Sequence, residues 1–137
     1  MPCPYFEPQR PVAQRSFVHA RLPLIDEYEG RCRANGSCEP VPEDVRFQCC
    51  NHGNSRSTCP RFPAVETRSA LRYHLVSRSA TEIELVCVEE NNYAPAAWYV
   101  VRYAVAGGTI SPDISNDCLR AQILAFCRSY LDRFPVI

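Results

Sequence analysis

Cys49-Cys50-Asn51-His52-Gly53-Asn54-Ser55-Arg56-Ser57-Thr58-Cys59-Pro60-Arg61-Phe62 places three thiols and an imidazole within eleven residues and ends in a Cys-Pro step. The same step occurs near the start of the chain as Cys3-Pro4, with Cys32 and Cys38 lying between. Six of the nine cysteines and nine of the twelve prolines therefore fall in residues 1–63. Proline removes a backbone donor and fixes φ, so this segment is expected to form neither long helices nor central strands. Cysteines, rather than an apolar core, are expected to hold it in shape.

Working outward, residues 1–30 read as extended coil, with Pro2, Pro4, Pro8 and Pro11 against a helix and Phe17–Leu22 as a short extended piece. Gly30 is expected to bend the chain just before Cys32. Asn35-Gly36 is a turn signal between Cys32 and Cys38. After Pro42, the run Glu43–Gln48 suits one or two helical turns that deliver Cys49 and Cys50 at their end.

The pattern changes near residue 64. Leu71, Tyr73 and Leu75 alternate within Ser69–Ser77, and Ile83, Leu85 and Cys87 alternate within Thr81–Glu89. Both read as strands, joined through Arg78-Ser79-Ala80 as a hairpin. Trp98–Ala106 is a third, apolar strand ended by Gly107-Gly108. A helix is expected over about residues 116–133, with Leu119, Ile123, Phe126, Cys127, Tyr130 and Leu131 at helical spacing. The expected fold is thus α+β: a Pro/Cys-rich, metal-stapled N-terminal half (1–63), then a three-stranded antiparallel sheet with one C-terminal helix (64–137).

Composition narrows the function. Formal net charge is zero, so nothing calls for nucleic acid or an acidic membrane surface. No apolar run is long enough to form a transmembrane segment, and Met1-Pro2-Cys3-Pro4-Tyr5 does not read as a secretory signal. The chain is therefore expected to be cytoplasmic, or peripheral on a complex. In a reducing compartment persistent disulfides are rare, and nine thiols cannot all pair, so metal binding is favoured.

The best four-ligand set is Cys3, Cys32, Cys50 and Cys59, drawn from separate loops; Cys38, Cys49 and His52 are second choices. Zinc usually takes knuckles with ligands two to four residues apart. Here five residues separate Cys32 from Cys38 and eight separate Cys50 from Cys59. Iron–sulfur clusters accept more scattered cysteines, and a proline after a ligand is familiar there. Gly53, Asn54, Ser55 and Ser57 would let backbone amides approach the sulfurs. The expected cofactor is a 4Fe–4S cluster, with zinc as the alternative.

The skeleton CPYF at 3–6, LPL..EYEGRCRA at 22–34, CCNHG at 49–53 and CPRFP at 59–63 resembles a group of small, uncharacterised bacterial cysteine-motif proteins. The resemblance covers mainly the first half. It implies that Cys3, Cys32, Cys50 and Cys59 belong to the pattern and that Cys38 and Cys49 are additional. Adjacent Cys49 and Cys50 are not expected to bind one metal together.

Other residues take plainer roles. Cys87, Cys118 and Cys127 sit at strand or helix spacing and are expected in the core. His19 and His74 have no visible partner. A Cys50–His52 nucleophile pair lacks an identifiable orienting acid. Trp98, Tyr99 and Tyr103 are expected in core or interface. Two functions follow. One is an electron-transfer or accessory subunit bound to a larger redox enzyme, or to its own copies. The other is a zinc-stapled adaptor without redox chemistry.

Overall fold

A computed structural model describes residues 2–12, 22–52, 59–63, 70–92 and 94–134. The expected extended piece at 17–22, apart from Leu22, and the Gly53–Ser57 loop fall outside the described residues, as does His19.

The expected architecture is corrected: there are two antiparallel sheets, one of three strands and one of four. The first sheet lies in the half that was expected to be coil. Its strands are β1 (Phe6–Pro11), β2 (Tyr28–Cys32) and β3 (Glu39–Pro40), in the order β1-β2-β3. The prolines that argued against strands occupy its edges: Pro8 and Pro11 in β1, Pro40 in β3, none in the central β2. An edge strand tolerates a missing N–H because one side of it has no ladder to complete.

Gly30 does not simply bend the chain. It pairs with Pro8 across the sheet, and a Cβ at this position would stand 2.1 Å from the Glu7 carbonyl oxygen. Glycine is required there for close strand approach, next to a bulge between Pro8 and Arg10. Asn35 and Gly36 take left-handed φ values of 56° and 73°, making the expected turn.

Pro42 precedes α1 (Glu43–Val45), which continues directly as a π-helix over Arg46–Asn51. Cys49 and Cys50 lie near the C-terminal end of this helical segment, as expected.

The second sheet runs β4 (Ala70–Arg78), β5 (Glu82–Asn91), β6 (Ala94–Ala104) and β7 (Thr109–Ser111), in that order. β7 is the strand missing from the expectation. Gly107-Gly108 forms the turn of a β6–β7 hairpin, in which Gly108 at φ 65° donates to the Ala104 carbonyl. Three residues are too few to display an alternation. β6 also begins earlier than expected, because a bulge at Glu89/Glu90 lets Pro95 enter near the strand's start.

Helix α2 (Asp117–Arg133) is capped by Asn116, whose side chain accepts from the Leu119 N–H. It lies between the sheets. Leu119, Ile123 and Phe126 pack with Leu71, Ile83, Leu85, Val101 and Tyr103 of the second sheet. Ala125 and Ser129 meet Tyr28 of the first. A single core joins both halves. Tyr103 is buried in it, whereas Trp98 is 69% exposed on the opposite face of the sheet.

Candidate metal centre

Four elements deliver the thiols. Cys3 lies in the turn before β1, where its N–H donates to the Cys50 carbonyl (3.1 Å) and its carbonyl accepts from Phe6 N–H (3.0 Å). Cys32 ends β2, Cys50 sits in the π-helix, and Cys59 opens a turn closed by Phe62 N–H donating to its carbonyl (3.2 Å).

These four cysteines line one cleft, together with Cys49, Tyr5, Phe6, Ala34, Arg61 and Phe62. The cleft is narrow: about 290 Å³ of empty space including its opening to solvent, of which about 20 Å³ is wide enough for the centre of a water molecule. Its walls are apolar, with Tyr5 and Phe62 meeting edge to face at 5.4 Å. Among the described residues, Arg61 is the only charged residue lining it, and Glu39 holds that guanidinium at 2.6 Å.

Burial pushes the Cys50 thiol well above its ordinary range; the neighbouring Cys3, Cys32, Cys59 and Cys49 thiols, as charges, push it further. A thiolate there needs a positive charge beside it, and several need more than one arginine supplies. Among the described residues, no three of His, Cys, Asp and Glu are set to hold a single metal ion.

The other candidates separate. Cys49 joins the cleft. Cys38 is exposed and does not line it; neither does His52, whose ring lies 6.0 Å from that of Phe47. His74 is exposed on β4. Cys87, Cys118 and Cys127 are buried, and burial pushes each thiol up to about 12.

Two buried amides that sequence reasoning passed over position the thiols. Asn51 accepts from Tyr28 N–H (2.7 Å) and donates to the Tyr28 and Arg46 carbonyls (2.9 Å each). It thereby fastens the π-helix, and with it Cys50, to the start of β2. Gln122, fully buried on α2, donates through Nε2 to the carbonyls of Cys3 (2.7 Å) and Phe6 (2.8 Å). Its Oε1 accepts from the Tyr73 hydroxyl (2.7 Å). Asn51 had a signal, since it stands in the CCNHG motif; Gln122 had none beyond a polar residue beside an apolar helical stripe. Partly buried ion pairs support the same frame, with Arg46 on Glu27 at 2.8 Å and Arg133 Nε on Asp26 at 3.0 Å.

The chain matches no family model, no curated protein and no solved structure. Among the described residues, no helix is long and apolar enough to cross a membrane.

Proposed function

We propose that this protein is a small iron–sulfur protein that holds a 4Fe–4S cluster on Cys3, Cys32, Cys50 and Cys59 and serves as an electron-transfer or accessory subunit of a larger redox complex. The observation that carries this reading is the meeting of four scattered cysteines in one cleft. The donor chemistry suits it, because among the described residues the cleft offers soft thiols and neither imidazole nor carboxylate. A zinc site draws four ligands to about 2.3 Å around a single point. A cubane instead takes one thiolate at each iron corner, which suits sulfurs spread around the wall of a cleft. An electron carrier also needs a donor and an acceptor within tunnelling reach, hence the partner in the proposal.

The test is substitution under anaerobic purification. Cys3→Ser, Cys32→Ser and Cys59→Ser should each lose iron and brown colour, whereas Cys38→Ser and His52→Ala should keep both. Equal iron in all five variants would sink the ligand assignment. Stoichiometric zinc in a colourless native protein would leave the adaptor reading instead.

A further inference from the structure

The cleft holds one thiol more than a cubane takes. Cys49 and Cys50 are both buried and both line it, although they are consecutive residues. In an α-helix successive side chains diverge by about 100° and seldom share a target. Here the segment Arg46–Asn51 is a π-helix, whose wider turn reduces that divergence. Such turns are uncommon and often mark functional sites. The π-helix is held in place by Asn51 and by the Arg46–Glu27 ion pair, one residue from the thiols on one side and three on the other.

We propose that Cys49 and Cys50 are alternative ligands for the same position of the metal group, with Cys3, Cys32 and Cys59 common to both forms. This rests on the iron–sulfur reading above. Consecutive residues cannot comfortably span two corners, so one thiol binds while the other does not bind the metal group. Cys38 has no comparable role, because it is exposed and lines no part of the cleft.

The experiment compares native protein with Cys49→Ala, Cys50→Ala and the double variant, all purified without oxygen. Iron and sulfide per chain are measured, and the electron paramagnetic resonance spectrum is taken after dithionite reduction. Native protein should show two overlapping reduced-cluster signals. Each single variant should retain iron within about twofold of native and keep only one of the signals, while the double variant should lose iron by about tenfold or more. A single native signal unchanged in Cys49→Ala would overturn the proposal, and that result does not depend on whether Cys50→Ala folds. Loss of iron in Cys50→Ala equal to that in the double variant, with normal circular dichroism, would also overturn it while leaving the cluster reading intact. Native protein without iron and sulfide would overturn both.

Discussion

Gly30 and Gln122 each hold an arrangement that no neighbour can replace. A methyl group at Gly30 would meet the Glu7 backbone carbonyl, which cannot swing away as a flexible side chain would. Gly30→Ala should therefore cost about 1–3 kcal/mol in denaturant unfolding. Gln122→Leu preserves bulk but removes the buried amide that bonds the Cys3 and Phe6 carbonyls and the Tyr73 hydroxyl. It should cost at least about 2 kcal/mol and also lower metal content, because the Cys3 turn loses its anchor. The core thiols predict a pH dependence. Cys87, Cys118 and Cys127 ionise near 12 when folded but near 8.5 in an unfolded chain. The unfolded state releases protons first, so stability is full below about pH 8.5 and falls as pH rises towards 12. The slope reaches about 1.4 kcal/mol per pH unit for each thiol. Urea midpoints should drop between pH 7.5 and 10, and less steeply in Cys127→Ala.

Helix α2 shows how far an element can be read from its sequence. Its stripe of Leu119, Ile123, Phe126 and Tyr130 was legible because large apolar residues recur at helical spacing. The adjacent stripe of Cys118, Gln122, Ala125 and Ser129 is equally buried or nearly so, yet its residues are small or polar. Hydrophobic periodicity cannot register such a face, and this face docks the first sheet. Ala125→Leu should loosen that docking by about 1–3 kcal/mol, detectable as faster hydrogen exchange in β1 and β2 than in β5. The first sheet escaped notice for a related reason: proline density argues against central strands and says little about edges. Strands β4 and β5 were legible where alternation is long and β6 as an apolar run, whereas β7 was hidden by its three residues. The motif grouped Cys3, Cys32, Cys50 and Cys59, which line one cleft, but set aside Cys49, which lines it too. The π-helix was not, since nothing in Arg46–Asn51 distinguishes it from ordinary helical turns.

At the scale of the whole molecule, the Pro/Cys-rich first half and the second half share one core. Tyr28, Gln122 and Arg133 tie the thiol frame to α2. Metal bound only by the folded chain would therefore stabilise both halves together. Chelator treatment should lower a single cooperative thermal transition rather than split it into two, as scanning calorimetry would show. The most direct test of the central claim is iron and acid-labile sulfide per chain, with a visible spectrum, on native protein purified without oxygen. The predicted result is about four of each and a brown absorbance that bleaches with dithionite. Colourless protein carrying zinc, or no metal, would contradict it.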